Sequence, residues 1–219
     1  MYDSTFMLGQ QPHMEDFLAN AAKRFWYTGL REDQILTAIQ AACDFFDIPM
    51  PQFVYDMTNN PQQGTAVINM MSTTYSDDFL QFNMKQLVGL GVSNLDAFTL
   101  ILTHECMHRV LQNTVLRGIN NGAWEEELAC DFFIGVRAAL SGMDDDPIAR
   151  GLGATKGAAS HPVGSLRYAF IKQGKQIAYF DLIRHRPVTL LSMYQQFIDL
   201  LEQYRGEIDR LQKPFFSFE

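Results

Sequence analysis

The chain has 219 residues, 47% of them hydrophobic and 19% charged, the balance of an ordinary globular protein able to bury a core. Its formal net charge of −8 argues against broad binding to nucleic acid or to an anionic membrane, since both favour a basic face. No apolar run approaches the roughly 18 residues that a membrane-spanning helix needs.

From the N-terminus, His13 to Tyr27 carries Phe17, Leu18, Ala21, Ala22 and Phe25 at helical spacing. Glu32 to Phe46 does the same with Ile35, Leu36, Ile39, Ala42 and Phe45, and Asp47-Ile48-Pro49 ends it because proline disfavours helix in the residue before it. The opening Met1 to Thr5 lacks the basic region and long apolar stretch of a signal peptide. Cys43, Cys106 and Cys130 make no disulfide framework. Together these features predict a cytoplasmic protein, or one delivered without a cleavable signal.

After Pro51 the pattern changes. Phe53-Val54-Tyr55, Thr65 to Met71 and Asp78 to Asn83 read as strands, with turn residues Asn59 to Gly64 between the first two. A small, mostly antiparallel sheet is expected there. Ser93-Asn94-Leu95-Asp96 looks like a helix start with a serine cap, and the helix should run to about Asn113. A second helix is expected from about Ala123 to Leu140. Ser141 to Ser160, rich in Gly, Ala and Asp, reads as a long mobile loop, and Asp144-Asp145-Asp146 as its solvated part. Ser165 to Tyr179 is a helix candidate. Val188 to Leu211 is an amphipathic helix with Leu191, Tyr194, Ile198, Leu201, Tyr204 and Ile208 on one stripe.

Chemistry concentrates in three blocks. His104-Glu105-Cys106-Met107-His108 places two histidines four apart, on one face of a helix, where both imidazoles can reach one ion. Zinc accepts imidazole nitrogen and, in catalytic sites, keeps an open position for water. Glu105 stands beside the metal face, able to take a proton from that water. The bland alternative is two helix histidines facing solvent or each other.

The second block is Glu125-Glu126-Glu127 running into Asp131. Glu125 and Glu126 suit a helix N-terminus, whereas Glu127 and Asp131 share a face, and Asp131 is embedded among Leu128, Ala129, Phe132 and Phe133. A buried carboxylate needs a partner or a metal. Glu127 is the candidate third zinc ligand, and Asp131 the acceptor of a hydrogen bond from a ligand imidazole. An ion pair of these acids with Arg137 or Arg109 is the structural alternative.

The third block is Ser160-His161-Pro162 with Arg167 following. His161 could support the oxyanion of a tetrahedral intermediate, and Arg167 could orient that element or pair with Asp131. Cys106 and Cys130 read as small buried core residues.

In combination, H-E-x-x-H, then E-x-x-x-D, then H-P with an arginine five residues on, resembles the gluzincin metallopeptidases. The resemblance is to soluble relatives of the heat-shock and CAAX-prenyl membrane peptidases, including phage-exclusion (Lit-like) and regulator-cleaving peptidases, and covers roughly Asp78 to Arg167. It implies zinc held by His104, His108 and Glu127, Glu105 as general base, Asp131 as supporting acid, and His161 and Arg167 near the transition state. It also implies a polypeptide substrate paired to the strand before the active helix, at Leu80, Gln81 and Phe82.

The expected architecture is a single α+β, zincin-like metallopeptidase domain over residues 1–219. It comprises a helical N-terminal elaboration (1–50), a zincin core (51–167) and a helical C-terminal cover (168–219). The expected activity is zinc-dependent endopeptidase chemistry, without a nucleic-acid partner or a membrane span and with the oligomeric state open. The alternative is a non-catalytic zinc protein whose site is closed by a fourth ligand such as His161 or Cys106.

Overall fold

The structure is a computed structural model and describes residues 30–51, 53–56, 66–69, 79–82, 84–113 and 122–216. The helix expected over 13–27 lies outside the described residues. The chain divides into two compact units, residues 1–109 and 110–219.

In the first unit, α1 (Glu32–Phe45) buries Ile35, Ala38, Ile39, Ala42 and Cys43 along one stripe. Its N-terminus is closed by the Gln34 side chain, which accepts from the Arg31 backbone N–H at 3.0 Å. Three four-residue strands follow, β1 (Phe53–Asp56), β2 (Ala66–Asn69) and β3 (Phe79–Phe82). Their order is β1-β3-β2, with β1 parallel and β2 antiparallel to β3. A short helix, α2 (Met84–Gly89), leads into α3 (Leu95–Asn113), the helix that contains the unit boundary. The cap is Asn94 rather than Ser93: its Oδ1 accepts the Ala97 backbone N–H at 2.8 Å, so the helix starts two residues after the serine.

The second unit contains α4 (Ala123–Ser141), α5 (Asp146–Gly153), α6 (Gly164–Ile183) and α7 (Leu190–Phe216). Its central helix is α4, apolar nearly all round, with Trp124, Leu128, Ala129, Cys130, Phe132, Phe133 and Ile134 buried. The most extensive helix–helix contact is between α4 and α6. It is possible because Gly135 faces the Ile171 carbonyl and Gly174 faces the Phe132 carbonyl, with no room for a β-carbon at either point. Aromatic rings then tie in α7. Phe197 stands 5.7 Å from Phe132 and 5.9 Å from Phe170, ring centre to ring centre, and Phe170 is 5.3 Å from Tyr204.

Three expectations are corrected here. The fold class is helical, not an α+β zincin-like domain: all the secondary structure whose side chains are described lies in seven helices, and no strand contributes to that part. The physical reason is that helices bury each other's apolar stripes throughout the second unit, whereas among the described residues the sheet has three short strands of mixed rather than mostly antiparallel pairing. Next, 141–160 is no long loop, because Asp146–Gly153 forms a helix with Pro147 in its first turn, where proline's missing N–H costs nothing. Lastly, Leu191 leaves the expected stripe of α7. It is 66% exposed, and the buried series runs through Met193, Tyr194, Phe197, Leu200, Leu201 and Ile208.

The aspartate run also changes character. Asp145 is buried and accepts hydrogen bonds from Lys172 (2.7 Å) and Lys175 of α6, while Lys172 also reaches Asp146. Burial works against the charge on Asp145, but the two ammonium groups reverse this and hold its carboxyl below the usual range. What looked like solvated loop is an electrostatic clasp between the start of α5 and the middle of α6. Among the described residues no helix is long and apolar enough to cross a membrane.

Candidate metal centre

In the first unit, His104 and His108 sit one turn apart on α3. Their ring centres are 4.9 Å apart with planes at 79°, so the two imidazoles stand side by side on one face. His104 and Glu105 are buried and His108 is half-buried. The helix around them is a core helix, with Phe98, Leu100, Ile101, Leu102, Met107, Val110 and Leu111 buried. Thr103, also buried, turns its hydroxyl back to the Thr99 carbonyl at 2.8 Å. Titratable side chains at such a position carry a desolvation cost that a function or a partner must offset.

The second unit gathers four of the remaining site candidates on α4, α6 and the segment before α6. Asp131 is fully buried, and Arg167 grips it with Nε to Oδ2 at 2.7 Å and Nη2 to Oδ1 at 2.9 Å. The same Nη2 reaches Oε2 of Glu127 at 3.4 Å. One planar guanidinium thus spans two carboxylates that α4 places one turn apart. Burial alone would weaken the hold of Arg167 on its proton, but Asp131 and then Glu127 more than reverse this and keep it a fixed cation.

His161 completes the cluster. Its Nε2 lies 3.5 Å from Oε1 of Glu127, and its Nδ1 is 2.8 Å from the Ser160 hydroxyl. A proton on Nε2 suits both contacts, with the Ser160 hydroxyl donating to Nδ1; this tautomer is assigned from the bonding pattern. The segment carrying His161 is held in place from α4 itself. Trp124, one turn before Glu127, donates its indole N–H to the Ala158 carbonyl at 2.8 Å, and Ala158 and His161 exchange backbone hydrogen bonds at 2.8 and 3.2 Å. Gly157 turns the chain at φ +82°, where its missing β-carbon also avoids Val163.

Sequence reasoning and structure meet on these residues unevenly. The pairing of Arg167 with Asp131, one of the arrangements expected from the sequence, is present, and Arg167 reaches Glu127 as well. The expected edge role of Leu80, Gln81 and Phe82 is corrected. Strand β3 is the centre of its sheet, with β1 on one side and β2 on the other, so no backbone edge remains there for an added peptide strand.

Cys130 is a residue that the pattern underrated. It is fully buried on α4, between Glu127 and Asp131 in sequence, and none of Cys43, Cys106 and Cys130 is in a disulfide. A buried thiol three residues past a ligand-type carboxylate was a readable signal, hidden by how common core cysteines are. Tyr194 of α7 is also buried, and its phenol is pushed up to about 12 by burial first and then by Cys130 and Glu126. No family model, curated protein or solved structure matches the chain.

Proposed function

We propose that this chain is a zinc-dependent peptidase in which His104 and His108 are metal ligands and Glu105 is the general base. The single observation that carries the reading is the pair of imidazoles set side by side on one helix face, His104 buried and His108 half-buried, with Glu105 next in sequence to His104. Two imidazoles one turn apart are the donor pair that zinc takes from a helix, and a carboxylate or a thiolate is an acceptable third donor. The available chemistry therefore fits the ion, on a helical scaffold.

Zinc bound by these residues would lower the pKa of its water to roughly 7 and polarise a peptide carbonyl. Glu105 takes the proton of the attacking water and returns it to the departing amine. Arg167 holds Asp131 and Glu127 in one orientation, so that the α4 carboxylates are preorganised before substrate arrives. His161, beside Glu127, supports the oxyanion. The substrate is a polypeptide, taken up elsewhere than along β3.

A second reading is favoured by a specific observation. His104, His108 and Cys130 form a candidate ligand group, and a thiolate in that set is typical of closed, non-catalytic zinc sites. The two readings differ in the role of Glu127, which is a ligand in the first and only a partner of Arg167 and His161 in the second.

Metal analysis of the purified full chain, followed by proteomic comparison of cells expressing wild type or Glu105→Gln, tests the main reading. It requires about one zinc per chain in both proteins and cleavage products only with wild type. Absence of bound zinc, or products that persist with Glu105→Gln, would refute it. Substituting cobalt for zinc decides the third ligand: a thiolate-to-metal charge-transfer band that disappears in Cys130→Ser supports the closed site.

A further inference from the structure

The turn between α6 and α7 does not belong to the site just described. Tyr179, Phe180, Leu182 and Ile183, at the end of α6, are 57%, 46%, 41% and 56% exposed, and Leu191 at the start of α7 is 66% exposed. Isolated exposed apolar residues are ordinary, but five large ones around one helix–helix turn are not. Three exposed basic residues, Arg184, His185 and Arg186, lie between them.

The turn is built rather than loose. Backbone bonds run from Arg184 to Phe180 (3.1 Å), from His185 to Leu182 (3.1 Å) and from Arg186 to Asp181 (2.9 Å). His185 reverses the chain at φ +53°, and the Arg184 guanidinium lies 5.8 Å from the centre of the Phe180 ring. The one acid between residues 177 and 191, Asp181, is buried and receives a hydrogen bond from Gln196 at 2.7 Å; Arg186 Nη1 also lies 3.6 Å from it, on a side chain that stays mostly exposed, while Arg184 lies over Phe180. The outward face therefore presents aromatic and aliphatic side chains with cations among them, on a chain whose net charge is −8.

We infer that this turn docks the protein on an anionic lipid surface. Phe180, Ile183 and Leu191 enter the boundary between headgroups and acyl chains, and Arg184 and Arg186 meet lipid phosphates. Charge complementarity is what selects the occupant. A second copy of the chain, paired face to face about this patch, would set the arginines of both copies against each other. The overall negative charge, which argued against membranes at the level of composition, does not govern a local patch, because exposed charges beyond about 10 Å are screened at ordinary salt. This inference is independent of the metal.

The test is co-sedimentation of the full chain with vesicles of phosphatidylcholine, with and without phosphatidylserine. Binding is expected to the phosphatidylserine vesicles, weakening as salt is raised. Arg184→Glu with Arg186→Glu should lower the partition by roughly tenfold or more. Phe180→Ser with Ile183→Ser should lower it by a similar factor, with helical content unchanged by circular dichroism. The control, Arg210→Glu, changes another exposed arginine of α7 and should leave binding intact. Equal sedimentation with neutral and anionic vesicles would overturn the inference. So would equal loss in the Arg210 control, or a lipid-independent dimer that Phe180→Ser with Ile183→Ser dissolves.

Discussion

Arg167 and Asp131, thirty-six residues apart in sequence, form a two-pronged buried ion pair, with Nε and Nη2 of the arginine 2.7 and 2.9 Å from the two carboxylate oxygens. The pair fixes the azimuth of α4 relative to α6 and places Glu127 where both Arg167 and His161 can reach it.

Breaking this pair from one side leaves an uncompensated buried charge, which costs about 3–5 kcal/mol. Arg167→Met is therefore expected to destabilise the protein by that amount, measured by urea unfolding. Arg167→Met combined with Asp131→Leu should recover much of the loss, because the fully buried carboxylate is then removed and Glu127 keeps its contact with His161. A double variant as unstable as the sum of the two single ones would show that the pair is not coupled.

The crossing of α4 and α6 gives a prediction with a built-in contrast of sign. Gly174→Ala would drive a methyl into the Phe132 carbonyl, which no side-chain movement can relieve, and should cost about 1–3 kcal/mol. Gly206→Ala on α7 meets nothing and removes a flexible residue from a helix, so it should stabilise by up to about 1 kcal/mol. Thermal unfolding of the two variants reads both effects.

The clasp at Asp145 makes stability pH-dependent with a defined sign. Its carboxyl is held lower in the folded chain than in the unfolded one, so the clasp stabilises above the unfolded value of about 3.9. That contribution is lost as the pH falls through the lower, folded value. Asp145→Asn should thus be less stable than wild type at neutral pH, and the difference should shrink below about pH 4. A difference that stayed constant down to strong acid would remove the electrostatic explanation.

If the imidazole pair holds zinc, the ion binds the folded chain alone and adds to its stability by mass action. A chelator should lower the unfolding temperature of wild type and of Glu105→Gln equally, while leaving that of His104→Ala with His108→Ala unchanged. Calorimetry with and without chelator gives the comparison, and an equal shift in the double variant would place the metal elsewhere.

Some of this was legible in residues alone. Five described helices, 32–45, 95–113, 123–141, 164–183 and 190–216, overlap the segments that spacing and cap residues marked at 32–46, about 93–113, about 123–140, 165–179 and 188–211. Periodicity reports local geometry, and a helix four turns long carries enough positions to show it. The four-residue spacings of His104 and His108, and of Glu127 and Asp131, likewise determined which side chains share a face, because that follows from 3.6 residues per turn and nothing else.

What the tertiary structure decided is which faces meet. The choice of Asp131 among the partners open to Arg167, the clasp of Lys172 and Lys175 on Asp145, and the indole of Trp124 on Ala158 are contacts across 27 to 36 residues, for which no local pattern exists. Strand order is of the same kind. Alternation marks a segment as strand, but whether β3 is an edge or a centre depends on partners that pack from elsewhere in the chain. The exposure of Leu191, read as core from its spacing, has the same cause: a periodic stripe predicts one apolar face, and packing alone determines where along the helix that face is covered.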